Sequence, residues 1–227
     1  MIYNKSVRIP FLGVYTGGHT MKVLLVNGSP HEHGCTDRAL KQVSESLAKN
    51  GVDSEIFWIG NKPISGCIGC GACKKGLGKC AIDDVVNEFV NKAADFDGYI
   101  FGSPVHYAAI GGAMGAFMDR AFYSGGKKMA YKPAAGVVSC RRGGASAAFD
   151  QLNKYFTINN MPVVSSQYWN QVHGNSAEQV EQDLEGLQTL DILAKNMAWL
   201  LKCIEAGKAA GIACPEPEKP IRTNFIR

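Results

Sequence analysis

No apolar run in this chain reaches the ~18 residues a membrane-spanning helix needs, and no block of like charge appears. The net charge is only +4, without basic stretches interleaved with aromatics, so the usual footprint of a nucleic-acid binder is missing. Charged residues at 19% are too few for a disordered protein, while apolar residues at 46% are enough for a core. There is no internal repeat, and at 227 residues no composition break marks a second domain. The first twenty residues lack a secretory signal. Their apolar stretch IPFLGVY is short and interrupted by Pro10, and no A-x-A-like site follows. Cys35, Cys140, Cys203 and Cys214 show no disulfide-framework spacing, and the chain is no small secreted scaffold. A reducing cytoplasm is the expected compartment.

What is present alternates. KVLLVN at 22–27 is a continuous apolar run ending in Gly28-Ser29-Pro30, the signature of a buried parallel strand. Leu40, Val43 and Leu47 then give one face of a helix that stops near Asn50-Gly51. DSEIFW at 53–58 reads as a second strand. Asp83 and Asp84 open a helix at its positive end, with Val86, Phe89, Val90 and Ala93 as its apolar face. GYIFGS at 98–103 is the third strand, a helix over 111–122 follows, and AAGVVS at 134–139 is the fourth strand. Residues 145–157 read as helix, and Val163 and Val164 mark a fifth strand. Ser176 and Gln179 form a capping box for a last helix carrying Val180, Leu184, Leu187, Leu190, Met197, Leu201 and Ile204. The expected fold is α/β: a doubly wound sheet of five parallel strands with helices on both faces. The domain is expected over 21–207, with 1–20 as an appendage and 208–227 as a Pro-rich tail.

In such sheets ligands bind at the carboxyl ends of the strands. The first strand end is GSPHEHGCT, residues 28–36. Its glycines let backbone N–H groups converge, Ser29 and Thr36 add hydroxyls, and a helix N-terminus follows, which together make a phosphate cradle. It has neither the lysine of a Walker loop nor a G-x-G-x-x-G. The third end presents Pro104, Val105, His106 and Tyr107, suited to the edge and face of a flat ring. The fourth, Ser139 to Gly144, contains Cys140, Arg141, Arg142 and Gly143 and suits a ring edge or the phosphates of an incoming nucleotide. The loop Gln167 to Gly174 can stack on a ring or cover a neighbouring subunit.

Four cysteines, Cys67, Cys70, Cys73 and Cys80, stand apart from the rest in C-x2-C-x2-C-x6-C spacing. Thiolates so grouped suit soft metals and iron–sulfur clusters, and Lys74, Lys75 and Lys79 would offset their charge. No Cys-Pro follows, since Ala81 comes after Cys80. A 4Fe–4S cluster, a zinc ion, bare thiols and a redox disulfide all remain open, although zinc ribbons usually separate two C-x2-C pairs by ~15 residues.

GSPHEHGCT and GSPVHYAAIGGAMGAFMDR together resemble the phosphate-loop and ring-binding motifs of the NADPH-dependent FMN reductase family, a flavodoxin-like family. The resemblance covers Met21 to Gly207. The cysteine window is similar to a subgroup that includes the iron–sulfur flavoproteins and clusterless cysteine-bearing reductases. Carried over, the resemblance implies that Ser29, Cys35 and Thr36, with His31 and Gly34, hold the FMN phosphate. Pro104, Val105, His106 and Tyr107 would border the isoalloxazine, joined by Cys140, Arg141 and Gly143. His31 stands where the family often has Arg, His106 where Tyr is common, and Met114 to Ala116 lack the usual Lys.

The resemblance implies an NAD(P)H oxidoreductase in which a hydride passes from nicotinamide to the flavin N5 and then to a quinone, flavin, azo or metal acceptor. An iron–sulfur electron carrier working between redox proteins is the first alternative, and a non-catalytic flavin-binding protein the second. The flavin carries the chemistry, so no side chain is assigned as catalytic. A homodimer or higher homo-oligomer is expected, because the flavin in this family usually lies near a dimer interface.

Overall fold

The computed structural model describes residues 20–221 and 223, and the appendage expected over 1–20 lies almost wholly outside them. The elements run β1 (Lys22–Asn27), α1 (Cys35–Lys49), β2 (Asp53–Trp58), α2 (Val85–Lys92), β3 (Gly98–His106), β4 (Ala109–Ile110) and α3 (Gly112–Met129). They continue with β5 (Ala134–Cys140), α4 (Ala145–Ile158), β6 (Gln171–His173), α5 (Ala177–Val180) and α6 (Leu184–Ala209). Five parallel strands stand in the order β2-β1-β3-β5-β6, and the two-residue β4 pairs antiparallel with the end of β3. Counting parallel strands alone, this is the 2-1-3-4-5 order of flavodoxin-like sheets, whose switch point falls between β1 and β3.

Both sheet faces are covered, which is why the strands read as continuous apolar runs. Leu24, Val26, Tyr99, Phe101 and Val138 pack with Phe89, Phe117 and Phe156 from α2, α3 and α4. Val23, Leu25, Ile100 and Val137 pack with Leu40, Val43, Leu190 and Met197 from α1 and α6.

Three elements depart from the sequence reading. Val163 makes only an isolated bridge to Ala134, and the fifth parallel strand is Gln171–His173. The chain touches the bottom of β5, loops out, and returns at its top, with the Asn170 carbonyl accepting from the Val138 N–H at 2.9 Å. Pro162 has no N–H to give a ladder, so the lower contact does not extend. The capping box at Ser176 starts only the one turn of α5. Asp183, accepting from Gly186 N at 3.0 Å, caps the long α6 afresh. Lastly, α3 runs through Gly125-Gly126, a pair that resembles a stop. A Cβ at Gly125 would lie 3.0 Å from Val90, so the glycine is there to bring α2 and α3 together.

Candidate functional site

The carboxyl ends of β1, β3 and β5 open onto a cleft of about 770 Å³. Its floor is the turn after β1, which Asn27 organises from complete burial. The Asn27 Oδ1 accepts from Ser29 N at 3.0 Å, and its Nδ2 donates to the Glu32 carbonyl at 3.0 Å. Ser29 Oγ in turn accepts from His31 N at 3.1 Å, which leaves its own proton free for a ligand. Trp58, at the end of β2, donates its indole N–H to the Ser29 carbonyl at 2.8 Å.

Helix α1 begins here with no side-chain cap. Its N-cap is Gly34, so first-turn N–H groups face the cleft at the positive end of a fifteen-residue helix. Beside them Thr36 Oγ1 and Ser139 Oγ lie 2.9 Å apart, both buried. One hydroxyl donates to the other, so one proton of the pair remains for a third partner. The donor set therefore suits a buried anion such as a phosphate ester.

Two thiols flank Gly174 in the same cleft. Cys35 Sγ donates to the Gly174 carbonyl at 3.4 Å, and Gly174 N donates to the Cys140 carbonyl at 3.1 Å. Burial pushes both thiols above their ordinary range. A backbone N–H opposes it in each case, that of Cys35 itself and that of Arg142 for Cys140. Both are neutral near pH 7. Cys140 Sγ also lies 3.4 Å from His173 Nδ1.

Above the cleft, β3 and β4 form a hairpin whose two-residue turn is Tyr107-Ala108, with φ of 49° and 59°. Two left-handed residues make a type I′ geometry, usually filled by Asn-Gly. Here it carries a fully exposed tyrosine at the rim. Gly144, φ 88°, lets the hairpin sit against the start of α4, where a Cβ would meet Ala108 Cα at 2.7 Å. Ser103 Oγ anchors the hairpin base by accepting from Gly111 N at 3.0 Å.

The second group of chemically active residues lies between β2 and α2. Cys67, Cys70, Cys73 and Cys80 line one cavity of about 30 Å³ together with Arg120 and Tyr123. Cys67 and Cys70 are exposed, while Cys73 and Cys80 are partly covered. Among the described residues no three His, Cys, Asp or Glu side chains converge on a single ion. Four soft donors around one cavity, next to a buried cation, match the donor chemistry of a thiolate-bound cluster. Cys80 is held hardest. Asn87 accepts from its N–H at 2.8 Å and donates to its carbonyl at 3.0 Å, and Arg120 Nε donates to its sulfur at 3.2 Å.

Residues 21–176 match the NADPH-dependent FMN reductase family. The chain belongs to that family. Within the family it falls in the iron–sulfur flavoprotein subgroup. An iron–sulfur flavoprotein of Methanocaldococcus jannaschii is 31% identical over 193 residues, spanning 82% of this chain and 100% of the relative. One of Methanosarcina thermophila is 26% identical over 193 residues, spanning 83% of this chain and 99% of the relative. Among solved structures, RosB with a bound 8-demethyl-8-formylriboflavin-5′-phosphate intermediate matches with a TM-score of 0.65 at 12% identity, over 92% of this chain and 93% of that one. The NADH:FMN oxidoreductase EmoB matches at 0.56 and 17%, over 80% and 90%. These two show the shared fold.

In this FMN reductase family member, nine of the twelve residues expected at the cofactor line one cleft: Ser29, His31, Gly34, Cys35, Thr36, Pro104, Val105, Cys140 and Arg141. His106 and Tyr107 lie outside that lining, on the exposed hairpin, and Gly143 faces open space. Sequence reasoning passed over Asn27, Trp58, Asn61 and the segment Asn175 to Glu178. Asn27 had a local signal, an amide closing a strand just before a Gly-Ser-Pro turn; the others are brought in by topology.

Proposed function

We propose that the chain is an FMN-dependent oxidoreductase that takes a hydride from NAD(P)H and delivers electrons to a second acceptor, with a 4Fe–4S cluster on the four-cysteine loop as a one-electron stop. The observation that carries the reading is the uncapped N-terminus of α1 beside the Thr36–Ser139 pair, in a cleft at the switch point. The cleft volume lies within the usual range for cofactor sites, about 300–1,000 Å³.

Ser29, Gly34, Cys35 and Thr36 would hold the FMN phosphate through hydroxyl and backbone N–H donors, with His31 at the edge. Pro104, Val105, Cys140 and Arg141 would border the ring system, and His106, Tyr107 and Gly143 would meet it or the co-substrate from the rim. When bound, FMN supplies both hydride and single-electron chemistry that no side chain offers. The chain's part is to bind, orient and shield. Neutral Cys35 and Cys140 add no negative charge beside the phosphate, and Arg141 offers a cation to an anionic ligand. Quinones, free flavin, azo compounds, metal ions and redox proteins are the proposed acceptors, a homodimer the proposed assembly and the cytoplasm the proposed compartment.

An anaerobic visible spectrum with iron and sulfide counted per chain tests the cofactors. Flavin bands with a broad dithionite-bleached absorbance are expected, and a colourless protein that takes up no FMN refutes the proposal. Flavin without iron would favour a clusterless reductase. Ser29→Ala with Thr36→Val should cost FMN about 1.5–3 kcal/mol of affinity, roughly tenfold to a hundredfold. An unchanged fluorescence titration would count against the cradle.

A further inference from the structure

Arg120 lies outside the cleft, and its side chain is 0% exposed. A buried guanidinium is tolerated only where its donors are met, and here all five are. Nε donates to Cys80 Sγ at 3.2 Å. Nη1 donates to the Ser65 carbonyl at 3.3 Å and to Asp84 Oδ2 at 2.6 Å. Nη2 donates to the Ile82 carbonyl at 2.8 Å and to Asp84 Oδ1 at 2.8 Å.

The partners are not scattered. Ser65 lies just before the first cysteine and Ile82 just after the last, so one side chain on α3 ties both ends of the loop. Asp84 begins α2 as its N-cap, accepting from Val86 N at 3.0 Å, so the same fork fastens the loop's exit to a helix. The four cysteines are thereby unequal. Cys80 is fixed through backbone and sulfur, whereas no hydrogen bond to the sulfurs of Cys67, Cys70 and Cys73 appears among the described residues.

We propose that Arg120 is the positioning residue of the four-cysteine loop: it closes the loop's neck and presents Cys80 as the fixed ligand onto which Cys67, Cys70 and Cys73 close. The inference rests on the reading that these thiols hold a cluster. A charged hydrogen bond to a ligating sulfur favours the more negative state of the metal group, so Arg120 also raises its reduction potential. Lysine does not replace it, because three donors on a flexible stem cannot span a sulfur, two carbonyls and a carboxylate.

The test compares full-length wild type with Arg120→Lys after anaerobic reconstitution with iron and sulfide. The variant is expected to lose iron to a chelator about tenfold faster or more, and its cluster to titrate at lower potential by spectroelectrochemistry. Equal release rates and equal potentials would overturn the proposal. Iron-free samples give a separate readout: trypsin should cut after Lys74, Lys75 and Lys79 faster in the variant. Wild type that takes up no iron sinks the cluster reading, and equal cleavage rates then sink the clamp as well. If Arg120→Lys does not fold, pulsed EPR of reduced wild type labelled with ¹⁵N-arginine decides. A coupling from one arginine nitrogen is expected, and its absence refutes the contact to Cys80.

Discussion

The cleft and the four-cysteine loop differ in where their geometry comes from. The cleft is built from strand ends and a helix start, and its small polar groups are buried and already bonded: Asn27 to the turn, Ser29 to His31, Thr36 to Ser139. The loop has almost no regular structure beyond one 3-10 turn at Ala72–Lys75, and its shape depends on what α2 and α3 hold at its ends. A site set by the sheet is formed before its ligand arrives. A site set by a neck is fixed at its two ends and left open between them.

Three perturbations separate the two regions. The largest is Asp84→Ala, which leaves the buried Arg120 without its carboxylate. It should cost about 3 kcal/mol in urea unfolding while leaving FMN affinity close to wild type. A loss of FMN binding equal to the loss at the loop would erase the distinction. Next is Gly144→Ala, which places a Cβ 2.7 Å from Ala108 Cα at a φ of 88°. A destabilisation of about 1–2 kcal/mol is expected, with the rim hairpin displaced and FMN held more weakly. Iron content should not change, and a shift in it would show that the regions are coupled.

The smallest effect is on pH dependence. In the folded chain Cys35 and Cys140 hold their protons above the ordinary thiol range, because burial disfavours the thiolate. In the unfolded chain they ionise near pH ~8.5. Their contribution is therefore complete below that value and is lost as pH rises through the raised folded values. Tm should fall above about pH 8.5, and Cys35→Ser with Cys140→Ser should flatten part of that fall. An unaltered slope would mean that burial does not hold these protons.

Legibility in the sequence follows the same division. The turns after β1 and β3 were readable because a buried strand announces its own end and the residues that line the cleft come next in order. Ser139 meeting Thr36 across 103 positions was not readable, since only the parallel pairing of β3 with β5 brings those ends together. Gly143 was expected at the cofactor and Gly144 was given no role, yet it is Gly144 that sits at a left-handed φ against Ala108, while Gly143 faces open space. The four cysteines were conspicuous, but Arg120, forty residues after Cys80, was visible only as part of a motif. Its role appears once α3 lies against the loop. The split edge strand hid for a related reason: Val163 has the right composition for a strand but follows a proline, and the segment that does pair has only three residues.

That split edge bears on how copies of the chain can meet. Between the bridge at Val163 and the pairing at Gln171, the middle of β5 faces a gap, and the Asn170 side chain enters it to donate to the Gly136 carbonyl at 3.1 Å. An amide thus stands in for a missing rung. The opposite border, β2, carries the exposed acids Asp53 and Glu55. Among the described residues neither border offers a long, bare, neutral ribbon, which disfavours growth of the sheet by strand addition.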